Sequence, residues 1–267
     1  MPFDSPAPVV HHEALNRDHF LLTLESSKIA REARAGQFVM IQTRAGTDPL
    51  LRRPMSIYRV LPGRRGRFQI LYKVVGTGTR YLAQQSRGTA LATLGPLGNG
   101  FRLPERGTRA VLVAGGIGIA IFPFLAEALG KGRGPAPILL YGGRSKRDLM
   151  ALDFFRARRI PARLATEDGS AGTRGFVTRL LEPLLADRKP GAPLELFVCG
   201  PTPMLKAVGA LANAAGVPCQ LALESQMPCG IGVCLGCVVP CPGDDRGPVF
   251  RRVCTEGPVF RASEVAL

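Results

Sequence analysis

Arg109-Ala-Val-Leu-Val-Ala-Gly-Gly-Ile-Gly-Ile-Ala120 decides the architecture of this chain. An unbroken apolar run ends in clustered glycines and passes into a helical segment, Phe122 to Leu129. It reads as a strand buried on both faces, and such strands belong to parallel sheets covered by helices. Gly115, Gly116 and Gly118 permit a tight turn and let the phosphates of a dinucleotide approach a helix N-terminus. A strict G-x-G-x-x-G is not met, because Ile121 stands where the last glycine would fall. Three later units repeat the pattern of strand then glycine loop. They are Pro137 to Tyr141 before Gly142-Gly143-Arg144-Ser145, Arg163 to Ala165 before Thr166-Glu167-Asp168-Gly169-Ser170, and Leu194 to Val198 before Cys199-Gly200-Pro201-Thr202-Pro203-Met204. The alternation predicts a doubly wound parallel sheet with its ligand at the carboxyl ends of the strands.

Upstream the period changes. From Asp18 to about Leu103 short strands alternate with turns: His19 to Leu24, Gln37 to Thr43, Met55 to Val60, Arg67 to Val74 and Thr89 to Leu94. This layout predicts a small barrel or sandwich, with Pro62-Gly63-Arg64-Arg65-Gly66 as one hairpin connection. Two places look chemical. Arg53-Pro54-Met55-Ser56 puts a phosphate-pairing cation, a fixed φ and a hydroxyl at the start of a strand. Val75-Gly-Thr-Gly-Thr79 gathers N–H groups and hydroxyls before a helical segment, Arg80 to Gln85. Taken singly, each is also an ordinary strand start or turn.

Downstream lie Cys229, Cys234 and Cys237, spaced C-x4-C-x2-C, with Cys254 after sixteen intervening residues. This is the ligand spacing of a plant-type 2Fe-2S cluster. Gly230, Gly232 and Gly236 give the backbone the freedom to fold tightly around an inorganic core. Structural zinc prefers paired ligands in both halves of a site, and only one C-x2-C pair exists here. A disulfide framework suits short secreted domains, not a 267-residue chain with seven cysteines and no secretory leader. Rieske clusters need two histidine ligands, whereas His11, His12 and His19 all lie far from the cysteines. Cys241 reads as a bystander, and Cys199 and Cys219 as small buried hydrophobes.

Composition bounds the remainder. With 46% hydrophobic residues, 32 glycines and 23 prolines the chain is globular and turn-rich, long enough for two domains and a small module. No apolar run approaches the ~20 residues needed to span a bilayer, so a cytoplasmic protein is expected. The net charge of +15 comes from 29 arginines against six lysines, scattered in short groups. No base-reading module accompanies them, which argues against specific nucleic-acid binding.

The order of these parts resembles the ferredoxin reductase superfamily. The Arg-Pro-Met-Ser motif, the Gly-Thr turn, Gly95-Pro-Leu-Gly-Asn-Gly-Phe101 and the nucleotide fold match it in sequence. With Gly230-Ile-Gly-Val-Cys234 and Arg252-Val-Cys-Thr-Glu-Gly-Pro-Val-Phe260 added, the chain is similar to the electron-transfer subunits of two-protein bacterial dihydroorotate dehydrogenases. The resemblance implies an FAD-binding β-barrel over residues 1–104, an NAD-binding α/β domain over 105–218 and a 2Fe-2S module over 219–267. It implies FAD at Arg53, Pro54, Met55, Ser56, Leu71, Tyr72, Lys73, Gly78 and Thr79. NAD falls to Gly115, Gly116, Gly118, Gly200 and Pro201, and the cluster to Cys229, Cys234, Cys237 and Cys254. The implied partner is an FMN-bearing catalytic subunit, two copies of each chain forming a heterotetramer that oxidises dihydroorotate to orotate and reduces NAD. Small subunits of bifurcating ferredoxin:NADP oxidoreductases and of sulfhydrogenases resemble the same parts. A zinc-bearing nucleic-acid binder would leave the flavin and nucleotide motifs unexplained. Two further points stay open at this level: whether Cys199 faces the hydride-transfer site or is packed, and whether Arg144, Lys146 and Arg147 or Glu167 and Asp168 read the adenosine ribose.

Overall fold

The computed structural model of the chain describes residues 2–63, 66–130, 134–188, 191–244 and 247–267. Its N-terminal part is one curled antiparallel sheet. The strands are β1 (Phe3–Ala14), β2 (His19–Glu25), β3 (Phe38–Ile41), β4 (Arg53–Ser56), β5 (Arg59–Leu61), β6 (Arg67–Lys73) and β7 (Ala90–Leu97). Helices α1 (Ser27–Glu32) and α2 (Thr77–Ala83) lie between them. In the order β4-β3-β7-β1-β2-β6-β5 the two edge strands are successive on the chain. Ile57 and Tyr58 join them, and their N–H groups donate to Gln37 O at 3.0 Å and Gln69 O at 2.8 Å, at opposite ends of the strand order. The chain itself thus closes the barrel. Arg64 and Arg65 of the expected hairpin connection lie outside the described residues, but the flanking strands β5 and β6 pair as that connection requires.

The twelve-residue β1 has no counterpart among the strands expected from the sequence. Pro6 and Pro8 cannot donate ladder hydrogen bonds and so argue against a strand. The pairing resolves this: Phe3 to Pro8 pair with β7, whereas Val9 to Ala14 pair with β2 around a bulge at Val9/His11, Val9 alone also bonding Gly88 and Thr89 before β7. Each half of β1 is an edge on one side, where proline is tolerated.

The second sheet contains β8 (Arg109–Gly115), β9 (Ile138–Gly143), β10 (Ala162–Thr166), β11 (Thr173–Arg174), β12 (Leu194–Cys199) and β13 (Cys219–Ala222), all mutually parallel. A hairpin of β14 (Val238–Asp244) and β15 (Gly247–Arg252) follows. The last strand, β16 (Val259–Arg261), then returns antiparallel to β13. The order β11-β10-β9-β8-β12-β13-β16 reverses direction at β8, the switch point where doubly wound sheets bind ligands. The helices are α3 (Phe122–Gly130), α4 (Leu152–Ala157), α5 (Thr178–Ala186) and α6 (Thr202–Ala214). Along β8 alternate residues serve opposite layers: Val111 and Val113 pack with α5 and α6, while Ala110, Leu112 and Ala114 pack with α3, α4 and the barrel residues Tyr58 and Leu71. Since α6 needs a parallel strand to follow it, Cys219–Ala222 completes the sheet. The expected start of the cluster module at residue 219 therefore falls on a sheet strand, and residues 223–258 form an insertion between β13 and β16.

Gln220 anchors the linker between barrel and sheet. Its side chain accepts from Arg102 N at 3.0 Å and donates to Arg102 O at 2.8 Å and Glu195 Oε1 at 2.7 Å. A Gln220→Leu substitution removes all three hydrogen bonds of this buried side chain and should lower stability by about 1–3 kcal/mol, read as a reduced urea midpoint with an unchanged m-value.

Candidate functional site

A cavity of about 740 Å³ opens at the carboxyl ends of β8, β9, β10 and β12, roofed by the end of β6. Gly115, Gly116, Gly118, Gly200 and Pro201 all line it. At three of the glycines smallness is enforced by close neighbours. A Cβ on Gly118 would collide with the Cys199 carbonyl oxygen and stand 2.8 Å from Gly200 N, while one on Gly115 or Gly200 would lie 2.5 or 3.0 Å from Met204 Sδ. Gly116 adopts φ +51, a left-handed conformation that favours glycine. Tyr141 props the turn from beneath: its hydroxyl lies 2.9 Å from the carbonyl oxygens of Gly116 and Asp148 and accepts from Met150 N at 3.0 Å.

Several groups on the cavity wall escaped the sequence reading, since each reaches it only through tertiary packing. Asp148 joins barrel to sheet, 3.6 Å from Lys73 Nζ and 3.5 Å from Arg144 Nε. Burial opposes its ionisation, but Arg144, Ser145 N–H and Lys73 outweigh that and hold the carboxyl below its ordinary range. His19 is buried, with Nδ1 3.0 Å from Asn16 Oδ1. Burial, aided by Lys73, lowers its pKa. Glu224 still presents side-chain surface to the cavity, yet the protein crowded around it raises its carboxyl. Its signal in the sequence is position, five residues before Cys229. Cys199 is not on the wall. It is buried in the apolar layer, where burial and then the Glu224 charge raise its thiol, so the packed reading of this cysteine applies.

The residues expected at the flavin divide between two faces. Arg53, Pro54, Met55 and Ser56 form β4, and the Arg53 guanidinium lies directly over Gly78 at the start of α2, where a Cβ would stand 2.8 Å from Cζ. The absent Cβ leaves room for the cation beside the free N–H groups of the first helical turn, which suits a pyrophosphate. Thr79 spends its hydroxyl on the turn, accepting from Val75 N (2.9 Å) and Gly76 N (3.1 Å) and donating to Gly76 O (3.0 Å). On β6, Lys73 lines the cavity and Leu71 packs against the sheet. The Tyr72 side chain points into the barrel core, stacked on Phe20 with its hydroxyl 3.0 Å from His12 Nε2. Three successive strand residues cannot all face one ligand, so only the backbone of Tyr72 is available there.

The cysteine loop packs on the barrel. Gly230 has φ +74, and a Cβ there would stand 2.5 Å from Met40 Cγ on β3; Gly232 has φ +84 and faces Thr255. Asn99 hooks the far side of the loop, donating from Nδ2 to Glu256 O at 3.0 Å and Thr255 O at 3.2 Å. The thiols adjoin in two pairs: Cys229 beside Cys234, and Cys254 beside Cys237, whose Sγ accepts from Cys254 N at 3.4 Å. Among the described residues no three His, Cys, Asp or Glu side chains converge as one metal ion requires. Two pairs fit a binuclear 2Fe-2S core, with two thiolates per iron, better than a four-ligand zinc site. Burial opposes ionisation of Cys229, but N–H groups of Ile231, Cys234 and Val233 and the Cys234 thiol bring it down to about 6. Cys254, buried and beside Cys237, is pushed up to about 12. Cys241 is buried in the same apolar cluster as Cys237 and Cys254, its thiol donating to Val239 O at 3.8 Å.

The profile of the iron-sulfur cluster binding domain of dihydroorotate dehydrogenase B matches residues 224–266, the inserted segment and the last strand. The electron transfer subunit of dihydroorotate dehydrogenase B (NAD(+)) from Bacillus caldolyticus is 39% identical over 251 residues, 92% of each chain. The corresponding subunit from Desulforamulus reducens is 37% identical over 98% of this chain and 97% of its own. This chain is a member of that family. An electron transfer subunit of an oxidoreductase, it uses FAD, a 2Fe-2S cluster and NAD. Among solved structures, an NADH-dependent reduced ferredoxin-NADP oxidoreductase superposes with TM-score 0.84 at 30% identity, covering 97% of this chain and 89% of that one. The ferredoxin reductase of carbazole 1,9a-dioxygenase shares the fold, with TM-score 0.67 at 24% identity over 81% and 67% of the two chains. No helix among the described residues is long and apolar enough to cross a membrane.

Two measurements probe this geometry. Gly118→Ala forces the turn away from the Cys199 carbonyl and should cost on the order of 10²-fold in NADH-dependent reduction of an artificial acceptor, with flavin content retained. In the cluster-free chain, the Cys229 thiolate grows in as pH rises through about 6. Alkylation at pH 7 should therefore label Cys229 well ahead of Cys254, as peptide mass mapping would show.

Proposed function

We propose that this chain links an FMN-bearing catalytic subunit, which oxidises dihydroorotate to orotate, to NAD. When bound, a 2Fe-2S cluster would supply one-electron transfer and FAD would couple it to hydride transfer with NAD. The residues of the chain fix geometry and exclude water. Cys229, Cys234, Cys237 and Cys254 hold the cluster; Arg53 and the first turn of α2 hold the FAD pyrophosphate, with Pro54, Met55, Ser56 and the backbone of Leu71 to Lys73 along the flavin. Gly115, Gly116, Gly118, Gly200 and Pro201 admit the dinucleotide.

One observation carries this reading. Met40, whose side chain meets Gly230 of the cluster loop, pairs across the ladder with Pro54 of the flavin motif. The cluster loop therefore lies one strand away from the flavin strand. The outer side of the loop presents Ile231, Val233 and Leu235 to solvent, with Val249 and Phe250 exposed on the neighbouring hairpin. Apolar side chains gathered on a charged protein mark a contact surface, and the catalytic subunit is placed there, two copies of each chain forming a heterotetramer. The working units are the barrel to about residue 104, the nucleotide sheet from 105 including β13 and β16, and the inserted cluster segment. Seven free cysteines suit a reducing cytoplasm.

Co-expression with an FMN-containing dihydroorotate dehydrogenase subunit should give dihydroorotate-dependent NADH formation. Substituting serine at Cys229, Cys234, Cys237 or Cys254 should abolish that activity and the iron-sulfur absorption together, while Cys241→Ser keeps both. Full cluster content with no dihydroorotate activity would instead assign the chain to a different large subunit, as in the bifurcating oxidoreductase it superposes on.

A further inference from the structure

The cavity extends well past the glycine turns, and its far end is chemically unlike the rest. Glu167 follows β10, its N–H donating to Gly143 O at 3.1 Å. Phe176 follows β11, beside it, because Gly175 N donates to Thr166 O at 2.8 Å. Both line the cavity, and Phe176 is 66% exposed with no aromatic partner among the described residues. Of the other charged candidates, Asp168 and Arg144 are already engaged, and Lys146 and Arg147 do not line the cavity. Asp168 accepts from Ser170 N at 2.9 Å and Ser170 Oγ at 2.6 Å, which pins it into its own turn. Arg144 leans on Asp148. No hydrogen bond or ion pair to the Glu167 carboxylate is present among the described residues.

We propose that Phe176 and Glu167 form the adenosine subsite, Phe176 stacking the adenine and Glu167 accepting from the ribose 2′-hydroxyl, so that Glu167 sets the preference for NAD over NADP. This deepens the functional reading above and rests on it for the identity of the dinucleotide. An exposed phenyl ring beside a ligand cavity offers a flat apolar face to any base, which stacks without sequence-specific contacts. A carboxylate is an acceptor only, so it satisfies a hydroxyl, whereas a 2′-phosphate of charge near −2 would meet both Glu167 and the neighbouring Asp168. Discrimination comes from that repulsion as much as from the hydrogen bond.

The test uses the purified full-length holoprotein and equilibrium titration with ADP-ribose and 2′-phospho-ADP-ribose, which carry the adenosine end and no nicotinamide. Parent protein should bind ADP-ribose more tightly. Glu167→Gln should shrink that preference by about tenfold or more. Phe176→Ala should weaken both ligands by a similar factor, about tenfold. A preference unchanged in Glu167→Gln, or tighter binding of the 2′-phosphate by the parent protein, overturns the assignment of Glu167. Equal affinity of Phe176→Ala and parent overturns the adenine platform. Because neither ligand takes part in electron transfer, these outcomes stand apart from the dihydroorotate assay. Normal discrimination without dihydroorotate activity would sink the partner and keep the subsite, and the reverse pattern would do the opposite.

Discussion

The contact on which the rest depends is the seat of Gly230 on Met40. A side chain at Gly230 would be strained twice, by its φ of +74 and by a Cβ position 2.5 Å from Met40 Cγ. This close approach turns a loop with no regular structure into part of the barrel wall. Asn99 grips the same insertion from the opposite side through the Thr255 and Glu256 carbonyls, and Asn99 N donates to Gly257 O at 2.6 Å. Held at two points, the cluster loop keeps a constant position relative to the flavin strand. Electron transfer through a protein demands that constancy more than it demands any acid or base.

A second constraint fixes the barrel against the nucleotide sheet. Leu71 and Tyr58 of the barrel share one apolar layer with Ala114, Ile119 and Phe122 of the sheet. At its edge Glu127 meets both Arg59 at 2.9 Å and Arg158 at 2.7 Å, with the Arg158 guanidinium 3.7 Å above the Phe154 ring. The exposed part of that network adds little to stability by itself. Its geometry, however, ties β5 to α3 and α4. The alternation along β6 then does two jobs: Leu71 seals the interface and Lys73 reaches the cavity, while Tyr72 fills the barrel core.

Which features were legible in the sequence follows from how local their causes are. The buried run Arg109–Gly115 and the three strand-loop repeats carry their pattern within a few residues, and the structure has each as a parallel strand. The cysteine spacing is equally local. β1 was hidden because its prolines are harmless only where the strand lacks a partner, which the pairing alone reveals. The extent of the nucleotide sheet was hidden because β16 joins it from beyond a 36-residue insertion, residues 223–258. Asp148, His19, Glu224 and Phe176 come to the cavity from separate elements, with no spacing between them for a sequence pattern to report.

The polarity of the cluster loop follows from the same packing. Cys237 and Cys254 are 1% exposed and sit among Val253 and Phe260 of the sheet-side core, whereas Cys234 is exposed between Val233 and Leu235, themselves 73% and 60% exposed. Leu235 has φ +56, an unusual conformation for a branched residue, and it turns the chain outward at this point. Within eight residues the loop therefore passes from a barrel-facing end at Gly230 to a solvent-facing turn at Leu235, then back into the core at Cys237. A chain built to function alone would bury those aliphatic side chains. Their exposure beside a thiol pair is intelligible if a second protein covers them, excludes water from the cluster and brings its own redox centre to the open side.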